Sequence, residues 1–141
     1  MTGKSVTRVH WSFWAIGAVA LIWNLLGCVN FVVQINPDMV AAYRATEQAI
    51  IKGRPAWATG AFALAVFGGA AGSVLLLFRR SAAIYLFVAS LIGVIATMVH
   101  TLGAGITFGV GEILGIILMP LAVALFLLWY ARRARGKGWI G

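Results

Sequence analysis

Four uninterrupted apolar runs dominate the chain, at residues 11–33, 56–78, 81–102 and 112–130. Each has about 19–23 residues, and roughly 20 helical residues are needed to cross about 30 Å of hydrocarbon. Hydrocarbon offers a backbone no water to bond to, so such runs must satisfy their own hydrogen bonds as helices. The sequence therefore predicts an all-α fold, a four-transmembrane-helix bundle, with residues 1–141 forming a single integral membrane domain. Composition agrees with this reading. Charged residues make up only 10% of the chain and apolar ones 62%, whereas soluble domains carry about 25% charged residues. A water-soluble globule of this length has too little interior to hide so much apolar surface.

The formal charge of +8 does not indicate nucleic acid. Its basic residues sit in short clusters between apolar runs, with no basic helix or aromatic-basic array to track phosphates. They read as topology signals and as contacts to anionic lipid headgroups. Four spans place both termini and the Arg79-Arg80 turn on one side, with Lys4, Arg8, Arg79, Arg80, Arg132, Arg133, Arg135 and Lys137. Only Arg44, Lys52 and Arg54 fall on the other side, offset by Asp38 and Glu47. The positive-inside rule then puts both termini in the cytoplasm, with a basic tail at residues 131–141. Ala18-Val19-Ala20 resembles a signal-peptide cleavage site, but the apolar run continues to Val33. That is too long for an h-region of about 7–15 residues, so the first run is expected to stay as a helix.

The connection after the first span carries helix signals of its own. Asn36-Pro37-Asp38 supplies an N-cap, a proline at the first helical position and an acid in the first turn. The pattern predicts a short amphipathic helix over residues 37–52, lying on the outer membrane surface with Met39, Tyr43, Thr46 and Ile50 on its buried face. The alternative is a solvated connector with one helical turn. Residues 103–111 hold four glycines and no charge outside the final acid-bearing position 112, and are expected to be flexible or partly re-entrant.

Lipid gives apolar helices no hydrophobic reason to associate, so close backbone approach through small residues matters more. The second span supplies Ala61, Ala65, Gly69 and Ser73 at i,i+4 spacing, with Gly68 and Gly72 beside them. This ladder predicts either a central helix for the other three or a seam between copies. Pro120 lies inside the fourth span, removes a backbone donor and crowds the carbonyl of Ile116, which predicts a kink.

Polar groups near the spans gather at the outer boundary. Counting about 1.5 Å per residue from the inner arginines, Cys28, His100 and Glu112 lie about 30 Å away and Asn24 about 6 Å deeper. Glu112 is the sole acid in or near a span, and an ionisable group at membrane depth marks a candidate site. One reading joins Glu112 to His100, with Asn24 or Asn30, in an outward-facing polar pocket. The other makes Glu112 an N-terminal charge on the fourth helix and Asn24 a hydrogen-bonding anchor between helices. Cys28 reads as a packing residue, and Trp11, Trp14, Trp57, Trp129 and Tyr130 as interfacial belts. No paired carboxylate, P-loop, metal-ligand spacing or Ser/His/Asp set is present, so no catalytic residue, metal or cofactor is expected. His10 and His100 fall on opposite membrane faces, which excludes a shared haem.

Several strings together resemble a family of small bacterial membrane proteins of similar length that are often labelled "sugar transporter". They are Trp23-Asn24-Leu25-Leu26-Gly27, Pro55-Ala56-Trp57 and Phe67-Gly68-Gly69-Ala70-Ala71-Gly72-Ser73, then His100, Met119-Pro120 and Leu128-Trp129-Tyr130. The resemblance implies a four-helix protein of the bacterial inner membrane. From the residues themselves, the expected function is non-enzymatic helix–helix association, as an oligomer or as an accessory subunit of a larger membrane complex. The alternative is a small oligomeric transporter of a polar solute, using the outward pocket.

Overall fold

The computed structural model describes residues 9–106 and 108–141. Lys4 and Arg8 of the basic count lie outside the described residues. Every regular element among the described residues is helical, and four helices are long and apolar enough to cross a membrane. The protein is thus an all-α, multi-pass membrane bundle.

The first span, α1 (Trp11–Gln34), is opened by His10, whose Nδ1 accepts from the Ser12 amide at 3.1 Å. Two short helices follow, α2 (Pro37–Val40) and α3 (Ala45–Lys52). The second span is α4 (Ala56–Leu77) and the third is α5 (Ala83–Gly103). The fourth (Val110–Gly136) is a composite. It begins as α6 (Val110–Glu112), widens into a π-helical stretch (Ile113–Leu118), and continues as α7 (Met119–Gly136).

The expected single helix over 37–52 is broken in two. Arg44 takes an extended backbone (ψ 157°), and the Gln48 side chain donates back to the Tyr43 carbonyl at 2.7 Å. The Tyr43 hydroxyl meets the Asn30 amide oxygen. These side-chain bonds compete with the helical ladder and hold the turn open. Val40 and Ile50 are the buried anchors, while Met39, expected to be covered, is exposed. The connection therefore folds over the end of the bundle as two pieces.

Two other expectations change. The fourth helix extends through Arg132, Arg133 and Arg135 to Gly136, so most of the basic tail is ordered helix. Cations in a last turn complement the helix dipole, which favours this extension. The disturbance at Pro120 takes the form of the π stretch just before it, where the Met119 amide bonds to Leu114 five residues back. Widening by one residue relieves the crowding that the proline ring imposes on the preceding turn. Residues 104–106, 108 and 109 are outside any helix and exposed or half-buried, without a re-entrant element.

The spans are arranged in chain order. The second packs between the first and the third, and the fourth packs on the third. The small-residue ladder is what permits this. A Cβ on Gly93 of the third span would stand 2.6 Å from both the Ala61 carbonyl oxygen and the Ala65 nitrogen, so two backbones meet there with no side chain between them. Opposite it, Gly72 accepts the Phe87 ring, and Ala65, Gly69, Gly72 and Ser73 are all buried within the chain. The ladder thus serves a central helix.

At the Arg79 end the four spans close on an apolar cluster of Phe13, Leu76, Phe87, Leu127 and Tyr130. Tyr130, expected in an interfacial belt, is buried here against the fully buried Phe13, at 6.3 Å between ring centres. The tail then turns back. Gly138 has a positive φ of 76°, Trp139 packs edge-on against Phe13, and Ile140 is buried. The Gly141 amide donates to the Arg79 carbonyl and the Gly141 carbonyl accepts from the Ser81 amide, each at 3.0 Å. Arg79 has φ 60° and donates from Nε to the Trp139 carbonyl at 2.8 Å. The basic tail thus ends by clasping the turn between the second and third spans.

Gly93→Val is expected to destabilise the bundle by about 1–3 kcal/mol through overpacking against backbone. Gly60→Ala, where an added Cβ meets nothing within 4 Å, is expected to be neutral or slightly stabilising. Thermal unfolding of both variants in one detergent, followed by circular dichroism, measures the difference.

Candidate functional site

The opposite end of the bundle is built differently. Where the Arg79 end is plugged by aromatic rings, the Arg54 end opens into a cavity of about 250 Å³. All four spans and α3 contribute to it. Its walls are apolar over most of their extent: Ile50 and Ile51 from α3, Phe62 and Ala65 from the second span, Val94 and Met98 from the third, Ile116, Ile117 and Pro120 from the fourth. Its polar lining is Asn30 and Gln34 from the first span, Glu47 and Arg54 from the connection, and Thr97 and Thr101 from the third. A mostly apolar concavity with a few convergent polar groups is the usual form of a small-molecule site.

Helix periodicity sets this arrangement. Asn30 and Gln34 lie four residues apart on α1, and Thr97 and Thr101 four apart on α5, so each pair shares a face. Gly93, one turn before Thr97, brings the third span close enough for that face to reach the shared space. Thr97 satisfies its own hydroxyl on the Gly93 carbonyl at 2.8 Å. On the fourth span the π stretch delivers Ile116 and Ile117, consecutive in sequence, to the same cavity.

Arg54 is the principal charged group of the site. Its Nη1 donates to the Gln34 side-chain oxygen at 2.9 Å, and its guanidinium carbon lies 4.9 Å from the centre of the Phe62 ring. Its Nε is buried with no acceptor among the described residues. Burial pushes the guanidinium below its ordinary range, with a smaller opposing influence from Tyr43. Glu47 is already engaged, accepting from Arg44 Nε at 2.8 Å. That hydrogen bond and the Glu47 charge raise Arg44 above its usual value, with Glu112 adding a more distant attraction.

The polar residues singled out from sequence are dispersed by the fold. Asn30 lines the cavity. Asn24 lies deeper, buried, on a separate small void of about 40 Å³ with Ser90 and Trp23. Its Nδ2 donates to the Ala20 carbonyl at 2.9 Å and reaches Ser73 Oγ at 3.5 Å, while a Cβ on Gly69 would fall on the Asn24 amide. Asn24 is therefore held in a slot made by Gly69. The two voids share Ala65, Val94 and Pro120 in their walls, so they are neighbours along the axis.

Glu112 and His100 do not pair. The Glu112 Oε1 accepts from the Gly109 amide at 3.0 Å, capping the first turn of the fourth span. The His100 ring instead meets Trp57 edge-on, 5.9 Å between centres. A cap three residues away is available without reordering any helix, and it takes the carboxylate. Arg54 went unmarked in the sequence because it follows Gly53 and precedes Pro55 in what reads as a loop. Its inward course depends on Gln34, twenty residues away. Among the described residues no group of three metal-ligating side chains is found. The chain matches no family model, no curated protein and no solved structure.

Asn24→Ala is expected to cost about 0.6–2 kcal/mol, the range for hydrogen bonds between membrane helices. A double-mutant cycle with Ser73→Ala, read by thermal unfolding in detergent, should return a coupling below about 1 kcal/mol, because the 3.5 Å contact is long.

Proposed function

We propose that this is a non-enzymatic membrane protein that holds a small amphipathic molecule in the cavity at the Arg54 end. The observation that carries the reading is the contrast between the two ends of one bundle. An aromatic plug and a clasped tail close one end, while a mostly apolar cavity with a polar rim occupies the other. Purely structural packing would favour a filled core at both ends, since an unfilled volume forfeits dispersion contacts along its whole wall.

Association with other subunits is the reading the small-residue ladder suggests from sequence. That ladder is taken up by the protein's own first and third spans, which leaves the cavity as the better-supported working part. Uptake of a solute is the reading closest to the family resemblance. It additionally requires the Phe13–Tyr130 plug to part. The uneven distribution of Lys and Arg supports an orientation with the Arg79 end in the cytoplasm and the cavity facing outward, and the resemblance supports a bacterial inner membrane.

Two experiments test this proposal. Gly115 lines the cavity and has open space around its missing Cβ, and Gly111 has the same open space but lies off the cavity. Mass spectrometry of protein purified in mild detergent is expected to find a small apolar or amphipathic molecule near stoichiometry with the native chain and Gly111→Trp. Gly115→Trp should lose it. Recovery of no such molecule, or equal recovery from both variants, would count against the reading, as would a stoichiometric membrane protein partner in its place. For orientation, Lys52→Cys in a Cys28→Ser background should react with an impermeant maleimide on intact cells, and Arg80→Cys only after lysis.

A further inference from the structure

We propose that the occupant of this cavity is a monocarboxylate on a short apolar chain, with its headgroup on Arg54 and its chain between the third and fourth spans. This inference rests on the cavity being the working site and goes further by naming the chemistry of the occupant.

The first argument is charge. Among the residues that form the wall, Arg54 and Glu47 carry charge, and Glu47 is neutralised by Arg44 at 2.8 Å. One unit of positive charge is left over, on a guanidinium partly withdrawn from water. Its Nη1 is used by Gln34 and one face by Phe62, but the buried Nε has no acceptor among the described residues. A desolvated charged donor left unmatched is expensive. Neither Gln34 nor Phe62 supplies the negative charge that would balance it. The buried Nε is closed to a ligand, but the terminal Nη groups form the end of a planar fork that a carboxylate can meet. A single surplus cation suits a single anion.

The second argument is shape. At about 30 Å³ for each water-sized group, a cavity of about 250 Å³ holds roughly eight such groups. A methylene is of similar size, so the space itself accommodates a carboxylate and about six further carbons of its chain. The wall beyond the polar rim is aliphatic, with Val94, Met98, Ile116, Ile117 and Pro120. Methionine adapts to an irregular apolar guest. Arg54 with Gln34 and these aliphatic groups line one shared space, as an amphiphile requires.

The third argument is access. Gly115 both lines the cavity and is exposed, and no heavy atom lies within 4 Å of where its Cβ would stand. The wall is therefore thinnest on the π stretch of the fourth span, toward the membrane. An amphiphile partitioned into the bilayer can slide in sideways there, chain first, while its carboxylate stays at the level of the rim.

The test uses the full chain in nanodiscs of phosphatidylcholine, with octanoate, 1-octanol and octyl phosphate as probes. Saturable binding is read from the 13C resonance of the labelled first carbon of each probe. Octanoate is expected to bind the native protein, and Arg54→Gln to weaken it by about tenfold or more. Octanol binding should change by less than about twofold in the same variant, since its chain uses only the aliphatic wall. Lys52→Gln, on the same connection but off the cavity, should leave octanoate unchanged. Arg54→Lys should fall between the native protein and Arg54→Gln, because it keeps the charge and loses the fork. Equal binding of octanoate and octanol that ignores Arg54 would overturn the carboxylate while leaving the cavity reading intact. Tighter, Arg54-dependent binding of octyl phosphate would overturn it in favour of a phosphate. Loss of octanol along with octanoate in Arg54→Gln would make Arg54 a structural prop and overturn the proposal. Failure of all three probes to saturate the native protein would remove both this inference and the reading beneath it.

Discussion

The approach of the Gly93 backbone to the Ala61–Ala65 stretch fixes where everything else in the bundle lies. Without hydrophobic drive between helices in lipid, the second and third spans associate through dispersion and close backbone contact. One side chain at Gly93 would separate them. With the two spans locked at this point, Phe87 drops into the slot at Gly72 on one side of the contact. On the other side, Thr97 and Thr101 are carried to the open end. A single close approach therefore divides the bundle into a filled half and a hollow half.

The hollow half is bounded by parts that are individually irregular. The connection between the first two spans is broken at Arg44, and the fourth span is widened into a π turn ahead of Pro120. A regular helix at either place would present a different set of side chains to the same space. Local departures from the helical ladder are concentrated around the cavity, while the Arg79 end is formed from regular helix and terminated by two left-handed turns at Arg79 and Gly138. The left-handed backbone at Arg79 thus belongs to the filled end, and the interrupted helices to the hollow one.

The four spans were legible from sequence because their signal is length and hydropathy, which lipid enforces without help from tertiary contacts. The ladder on the second span was legible for the same reason, since small residues at i,i+4 spacing have few other uses there. The site was not legible in the same way. Depth along the axis grouped Asn24, His100 and Glu112, but depth says nothing about azimuth. Trp57 and Gly109 drew His100 and Glu112 into local contacts, and Asn24 was taken by Gly69. Arg54 looked like a loop cation, and only the fold shows that Gln34 and Phe62 turn it inward. In the tail, Lys and Arg point to the cytoplasmic headgroup layer, and only the fold shows that Trp139 and Ile140 also pack back onto the bundle.

That tail has a bearing on how the protein is made. Arg79 holds a left-handed backbone that costs a non-glycine residue roughly 1–2 kcal/mol, and part of what supports it is its bond to Trp139, sixty residues later. At about 5–20 residues per second of synthesis, Arg79 is made roughly 3–12 s before Trp139. Until residues 139–141 are made, the turn lacks the segment that the Ser81 amide and Arg79 carbonyl bond to. The helical hairpin is thus a provisional product, completed only when the Trp139–Gly141 segment arrives.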